Sequence, residues 1–213
     1  MPYHRYMGTS VRANVIVPTQ HSHSQKPVHR NGFTLIELLC TLAIIAVLLG
    51  IAVPSMTTLL QQSRSTAFAN ELTGLVNATR QLAVSSQTVT TFCPTIDYLT
   101  CSKDWSQGAM VFTDENANLT LDDNDQLFRV LPALKDGNKL YWRAFQNKQL
   151  IQFSPMGYTR SQNGTFTFCP HTGGLTTTRL LIVNKSGRVR PGTDKNNDGI
   201  QEQPNGKAPD CEA

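Results

Sequence analysis

The chain has 213 residues, of which 39% are hydrophobic and 16% are charged, a composition that excludes a disordered protein. Its net charge of +4 comes from the first 32 residues, which contain four basic side chains and no acid. Residues 33–213 carry 15 basic and 15 acidic side chains. This neutral balance argues against a general nucleic-acid coat protein and leaves room only for local anion-binding sites.

An apolar run over residues 33–53 (FTLIELLCTLAIIAVLLGIAV) contains a single charge, Glu37. A helix of this length spans roughly 31 Å, which is enough to cross the hydrocarbon core of a bilayer. Because the basic residues lie on its N-terminal side, the charge asymmetry predicts that residues 1–32 stay cytoplasmic and that the C-terminus is translocated. No small-residue cleavage site follows the run, so an ordinary secretory signal fits poorly.

Glu37 is costly inside a membrane span and needs a counter-ion, which a free α-amino group at Phe33 of the same or a neighbouring subunit would supply. The alternative is that its side chain only reaches the membrane interface. The segment Arg30-Asn31-Gly32-Phe33-Thr34-Leu35-Ile36-Glu37 resembles the class III signal of type IV prepilins. The resemblance implies that a prepilin peptidase removes a leader, residues 1–32, by cutting between Gly32 and Phe33. It also implies methylation of Phe33 and assembly with other pilins through Glu37.

The helix is predicted to continue to about Ser86. Pro54 should kink it without ending it, because helical periodicity resumes beyond the proline. Apolar residues then recur at steps of three, four and seven and form one stripe. The stripe consists of Leu60, Ala67, Phe68, Leu72, Leu75, Val76, Thr79, Leu82 and Ala83. The predicted helix covers residues 33–86. Its first half, with the transmembrane segment 33–53, has no core of its own chain to pack on and therefore needs a membrane or neighbouring subunits.

Strand and turn signals replace the helical pattern from Thr88 onward. Seven segments rich in β-branched and aromatic residues are predicted strands: 89–92, 109–112, 127–130, 140–145, 149–153, 165–168 and 179–183. Asn163-Gly164 is the strongest hairpin-turn signal. The pattern predicts an antiparallel β domain over residues 87–190 packed on the helical stripe, and an irregular tail over residues 191–213.

Four of the five cysteines lie in the polar, turn-rich part of the chain: Cys93, Cys101, Cys169 and Cys211. A translocated domain meets an oxidising compartment, so this even number indicates two disulfides. Three pairings are possible. We favour Cys93–Cys101, which closes a short loop, together with Cys169–Cys211, which ties the tail to the β domain. Cys40 lies in the apolar run and is interpreted as a small hydrophobic residue.

Motifs in the middle of the chain narrow the resemblance to one branch of the pilin-like proteins. Cys93 and Cys101, the segment Trp105-Ser106-Gln107-Gly108 and an Asp/Asn-rich loop over 116–125 are similar to the FimT/GspH branch of pilin-like proteins. This implies an α+β pilin fold, in which a long N-terminal helix with a transmembrane first half packs on an antiparallel β domain. It also implies a single-pass protein of the bacterial inner membrane with a periplasmic C-terminus, which later enters a pilus or pseudopilus.

A short basic motif is the candidate binding site. Gly187-Arg188-Val189-Arg190 precedes a proline, which favours an extended backbone at Arg190. In an extended segment the two arginines point the same way about 6.6 Å apart and can contact successive phosphates. Lys185 and Lys195 flank the motif and are candidate DNA-binding residues with it. The arginine pair resembles the Gly-Arg-x-Arg element with which FimT proteins bind DNA in natural transformation. The resemblance implies weak, sequence-independent, salt-sensitive binding of double-stranded DNA.

No metal, cofactor or enzyme site is predicted, because the chain lacks a Cys-x-x-Cys pair and a nucleophile motif. Residues 194–199 resemble the start of a calcium loop. Position 12 of such a loop would be Asn205 instead of a bidentate glutamate, so we interpret the segment as a polar turn. Two functions stay open: a minor pilin that binds DNA for uptake, or a structural minor pseudopilin of type IV pilus assembly or type II secretion in which the arginines are incidental.

Overall fold

The computed structural model describes residues 32–212, apart from the side chain of Pro54. The predicted leader therefore lies outside the described residues, except for Gly32. The chain divides into two units, Met1–Ile45 and Ala46–Ala213, and one helix contributes residues to both. The strands of the described residues all belong to the second unit.

That helix, α1, extends over Leu35–Ser86 and confirms the predicted long N-terminal helix. It begins after Thr34, whose hydroxyl oxygen accepts a hydrogen bond from the backbone N–H of Glu37 at 3.3 Å, a capping arrangement. The helix continues through Pro54, as predicted. By length and composition it is apolar enough to cross a membrane.

The second half of α1 buries one face against the strands. The buried positions are Ser65, Ala69, Leu72, Leu75, Val76, Thr79 and Ala83, and Phe68 and Leu82 are half-buried beside them. The predicted stripe is wrong at its N-terminal end, where Leu60 and Ala67 are exposed. Ser65 and Ala69 take the buried positions because the face follows steps of four and three from Ser65, which places Ala67 on the far side of the helix.

Eight strands within residues 32–212 form two four-stranded antiparallel sheets. The first sheet has the order β3-β2-β1-β5 and consists of β1 (Thr90–Pro94), β2 (Ala109–Thr113), β3 (Leu127–Leu131) and β5 (Ile151–Phe153). The second has the order β4-β6-β7-β8 and consists of β4 (Lys139–Ala144), β6 (Gly164–Cys169), β7 (Arg179–Val183) and β8 (Val189–Pro191). The seven predicted strands are confirmed, and β8 is an additional short edge strand.

The predicted hairpin turn at Asn163-Gly164 is wrong. Gly164 is the first residue of β6 and pairs with Ala144 of β4, so no tight turn forms there. A Cβ atom at Gly164 would collide with the carbonyl oxygen of Arg143 and would lie 2.8 Å from the Cα of Ala144. Glycine is present because β4 approaches closely, not because the chain reverses direction.

One hydrophobic core joins the helix to both sheets. Trp105, on a short 3₁₀ turn before β2, is 1% exposed, and its ring meets those of Phe92 and Phe166 edge-to-face at 4.8 Å. Phe92 belongs to the first sheet and Phe166 to the second. Aromatic contacts therefore tie the two sheets together around Trp105.

Two disulfides are present, Cys93–Cys101 and Cys169–Cys211, the pairing that the sequence analysis favoured. The second holds the tail against the outer face of β6. The side chain of Gln201 also accepts a hydrogen bond from Leu180 N–H at 2.9 Å. In the described part of the chain the tail forms no helix or strand after Pro191, but these contacts fix its path.

Candidate functional site

The basic motif lies in the hairpin that joins β7 to β8. Asn184 N–H donates to Arg188 O at 3.1 Å, and Gly187 N–H donates to Asn184 O at 2.9 Å. The side-chain Oδ1 of Asn184 also accepts from Arg188 N–H at 2.9 Å. These bonds enclose a three-residue loop whose last position requires a left-handed backbone. We call residues 184–190 the basic hairpin.

Gly187 satisfies two requirements of this hairpin. Its φ of +76° lies in the region that side chains disfavour. A Cβ atom here would lie 2.6 Å from Phe153 Cε1, 3.1 Å from Arg80 Cδ and 3.2 Å from Gly157 O. Only glycine therefore allows the loop both to turn and to pack against α1 and the end of β5.

Arg188 and Arg190 are both exposed, and Val189 between them is half-buried against the core. Because successive residues of a strand point to opposite faces, the two arginines share the solvent side. Arg190 of β8 pairs with Ile182 of β7, which confirms the predicted extended backbone at Arg190. The β7–β8 pairing fixes the backbone beneath the pair.

The charges of the basic hairpin have no acidic partners. Arg143–Asp210 is the only ion pair among residues 32–212, so Lys185, Arg188 and Arg190 are all uncompensated. Residues 179–193 contain no acidic side chain. The basic hairpin is therefore a local positive patch on a protein whose residues 33–213 are neutral overall. The charge distribution of the sequence left room for a local anion-binding site of this kind.

Lys195 lies in a different environment. It belongs to a tail loop that also carries Asp194, Asp198 and Glu202. Its backbone N–H donates to Oε2 of Glu202 at 2.9 Å. Three acidic residues against one lysine make this loop net acidic, whereas residues 179–193 contain no acid. The surroundings of Lys195 therefore differ in charge from those of the basic hairpin.

Residues 194–199, which resemble the start of a calcium loop, form a turn held by hydrogen bonds within the segment. The two carboxylate oxygens of Asp194 accept hydrogen bonds from the backbone N–H groups of Asn197, at 2.7 Å, and Gly199, at 2.8 Å. Asp198 accepts from Ile200 N–H at 2.8 Å. These bonds are the pattern of Asx turns, in agreement with the interpretation as a polar turn.

Two further arginines lie beside the basic hairpin and were not identified from sequence. Arg80 of α1 donates from Nε to Gly157 O at 3.0 Å, next to Gly187. Arg160 follows Thr159, whose N–H and hydroxyl both donate to Lys185 O, at 3.0 and 3.2 Å. Both arginines are exposed. No local pattern marks them, because only the fold brings residues 80 and 160 to the hairpin.

The C-terminal tail is anchored at its end. Arg143 Nη2 donates to Asp210 Oδ2 at 2.8 Å, and this hydrogen bond lowers the pKa of Asp210. Tyr141 donates from its hydroxyl to Cys211 O at 3.1 Å, beside the disulfide. Strand β4 therefore supplies two side chains that hold the tail across the second sheet.

The candidate processing and assembly residues lie at the start of the described chain. Phe33 is 86% exposed, and Glu37 is exposed in the first turn of α1. Large apolar side chains along α1 from Leu35 to Leu60 are also exposed. Exposed apolar surface of this extent marks contact with a membrane or with other proteins.

Comparison with known families places these features in one class. Residues 28–53 match the prokaryotic N-terminal methylation motif, as expected of a pilin-like protein. Residues 69–187 match the family of type II transport protein GspH. Because this second match covers more than half of the sequence, the chain belongs to the GspH family of type IV pilins and pseudopilins. None of the curated proteins matches the chain.

Three solved structures are similar in fold. The type IV minor pilin FimU of Pseudomonas aeruginosa matches in two crystal forms, at 19% identity. The TM-scores are 0.49, over 69% of this chain and 93% of FimU, and 0.45, over 68% and 96%. The minor pseudopilin EpsH of the Vibrio cholerae type 2 secretion system matches with a TM-score of 0.44 and 13% identity, over 60% of this chain and 94% of EpsH.

Family membership establishes the general role. The chain is a pilin or pseudopilin of the type IV pilus and type II secretion class, and such proteins are structural and not enzymes. Membership of this family implies interaction with other pilins and processing by prepilin peptidase. The methylation motif and apolar helix fit anchoring in the inner membrane before assembly.

Proposed function

We propose that this chain is a FimT-like minor pilin that binds double-stranded DNA without sequence preference, for uptake in natural transformation. The observation that supports this proposal most is the basic hairpin, where Arg188 and Arg190 face solvent side by side without a carboxylate partner. Guanidinium groups suit phosphate because their planar N–H groups bind two oxygens at once.

The geometry suits a backbone contact. Alternate residues of an extended strand are separated by about 6.6 Å, so the two guanidinium groups can each take a phosphate of one strand. Such contacts carry no base information and depend on counterion release. With only a few cations, we expect dissociation constants on the order of 10⁻⁴–10⁻⁶ M at physiological salt.

A gel-shift assay with a soluble fragment beginning at Thr57 tests the proposal. The fragment keeps every buried residue of the described chain, because burial begins at Ser65. The parent fragment should shift duplex DNA at low salt, and Arg188→Ala with Arg190→Ala should abolish the shift. Arg64→Ala with Arg129→Ala is the matched control, because it removes two exposed arginines from elsewhere.

Two results would reject DNA binding by the basic hairpin. The first is a parent fragment that never shifts DNA. The second is an Arg188/Arg190 variant that binds as well as the Arg64/Arg129 control. Either result favours the structural minor pseudopilin, a subunit that primes pilus assembly or belongs to a type II secretion filament, with its arginines incidental.

We also propose the maturation and anchoring of the chain. A prepilin peptidase cuts between Gly32 and Phe33, the new N-terminus is methylated, and α1 crosses the inner membrane once. Glu37 then pairs with the α-amino group of its own or a neighbouring Phe33, since an unpaired carboxylate is costly in lipid. Mass spectrometry should find a methylated Phe33. Glu37→Gln should retain cleavage but lose filament incorporation, whereas Glu71→Gln, on the same helix, should keep both.

A further inference from the structure

Two hairpin loops of the same design lie side by side at the basic end of the domain. In the first, Ser154 N–H donates to Tyr158 O at 2.9 Å, and Gly157 N–H donates to Ser154 O at 2.8 Å. The basic hairpin repeats this pattern between Asn184 and Arg188. The two loop glycines have nearly equal φ angles, +77° and +76°. Tyr158 therefore occupies, in the first loop, the position that Arg188 occupies in the second.

Direct contacts hold the two loops together. Thr159, the residue after Tyr158, donates from its N–H and its hydroxyl to the carbonyl oxygen of Lys185, at 3.0 and 3.2 Å. Arg80 donates to Gly157 O and also lies against Gly187. Tyr158 is thus one residue away from a hydrogen bond to the basic hairpin. The adjoining loops bring together residues that are 30 positions apart in sequence.

The side chain of Tyr158 is free to contact a ligand. It is 53% exposed, and within residues 32–212 its hydroxyl group makes no hydrogen bond. The segments that adjoin Tyr158 carry exposed cations: Arg80 is bonded to Gly157 O, Arg160 is two residues beyond Tyr158, and the basic hairpin is bonded to Thr159. No acidic side chain occurs in residues 72–96, 151–170 or 179–193, the three segments that supply this surface.

An aromatic ring set among uncompensated cations is the arrangement by which proteins bind single-stranded nucleic acid. The cations hold the backbone, and the ring stacks on a base, which must be unpaired to present its face. We propose that Tyr158 stacks on an unpaired base of a DNA strand held by the basic hairpin, so that the site binds single-stranded DNA as well as duplex. The inference rests on the proposed function and adds the class of strand that the site accepts.

Fluorescence anisotropy with the full chain in nonionic detergent tests the inference with three probes. One is a single strand of about twelve nucleotides, within the usual site size of such proteins. The second is an abasic strand with the same number of phosphates, and the third is a duplex of the same length. The parent should bind the normal strand about tenfold more tightly than the abasic strand, because the base adds stacking. Tyr158→Ala should remove this difference, and Tyr158→Phe should keep it.

The control variants separate stacking from charge and from damage to the fold. Phe128→Ala removes another exposed aromatic ring, from β3 of the first sheet, and should leave the preference for bases unchanged. Arg188→Ala with Arg190→Ala should weaken binding of all three probes.

Each outcome of the titrations has a defined meaning. Failure of the parent to bind any probe would overturn the proposed function and this inference together. Duplex binding with equal affinity for normal and abasic strands, or a Tyr158→Ala variant that keeps the preference for bases, would overturn the inference and leave the proposed function standing.

Discussion

Gly187→Ala tests whether the basic hairpin is packed as closely as the structure indicates. The substitution places a methyl group in a left-handed backbone, which costs about 1–2 kcal/mol. The same methyl group would lie 2.6 Å from Phe153 Cε1, a ring that is fully buried and cannot move aside freely. Overpacking of this kind costs about 1–3 kcal/mol more. We therefore expect a total loss of about 2–5 kcal/mol in the free energy of unfolding.

Gly206→Ala is the matched control. Gly206 has a φ of +80°, close to that of Gly187, but a Cβ atom there would meet nothing within 4 Å. It should lose only the backbone term, about 1–2 kcal/mol. The unfolded chain gains the same restriction in both variants, so the difference between them isolates the contact with Phe153.

Urea unfolding of the soluble fragment, with both disulfides intact, measures the two variants. Trp105 and Trp142 are 1% and 5% exposed, so their fluorescence should report the loss of the core. The dependence of the free energy on urea should stay the same, because neither variant changes the surface exposed on unfolding. Equal destabilisation by the two substitutions would refute the close packing of the loop.

The remaining predictions concern stability. Gly74→Ala should stabilise the fragment by about 0.5–1 kcal/mol in urea unfolding, because Gly74 lies exposed in the interior of α1 with nothing within 4 Å of a new Cβ. Removing the Cys169–Cys211 disulfide, which closes a separation of 42 residues, should cost about 4 kcal/mol, against about 2.5 kcal/mol for the disulfide that closes 8. Because Arg143 lowers the pKa of Asp210, the tail anchor should stabilise the fold above the ordinary value of 3.8 and be lost as the pH falls through the lowered one. Asp210→Asn should therefore reduce the loss of stability in acid, as followed by unfolding at a series of pH values.

Much of the fold follows from local patterns in the sequence. The 3.6-residue period specifies α1, and alternating or β-branched runs specify strands β1 to β7. The charge asymmetry and the segment from Gly32 to Glu37 indicate the membrane anchor and its processing. Each of these signals involves residues that are close together in the sequence, so it can be recognised in a single sequence.

Which strands pair with each other is harder to predict from the sequence. One reason is that glycine serves more than one structural purpose. At Asn163-Gly164 the dipeptide has the composition of a tight turn, yet glycine is there to admit the backbone of β4. At Gly187 neither the left-handed loop position nor the contact with Phe153 was predicted from the sequence. A strand pattern predicts that a segment is extended, but it does not predict which other segment pairs with it.

The same limit applies to the candidate site. Arg188 and Arg190 belong to one short motif and could be identified directly. Arg80 and Tyr158 could not, because their relation to the hairpin depends on long-range contacts. Arg80 lies against Gly187, and the loop of Tyr158 is bonded to the hairpin through Thr159 and Lys185, which are 26 residues apart. Lys195 is near the motif in sequence, but the fold places it in an acidic loop.

The salt dependence of DNA binding tests the central claim, that Arg188 and Arg190 hold phosphates, most directly. Titration of the soluble fragment with duplex DNA over a range of salt concentrations gives the slope of log K against log[salt]. Each phosphate contact to B-DNA contributes about 0.9 to this slope, so Arg188→Ala with Arg190→Ala should reduce its magnitude by about 1.8. An unchanged slope, with the fold intact, would show that neither arginine contacts the DNA backbone and would contradict the claim.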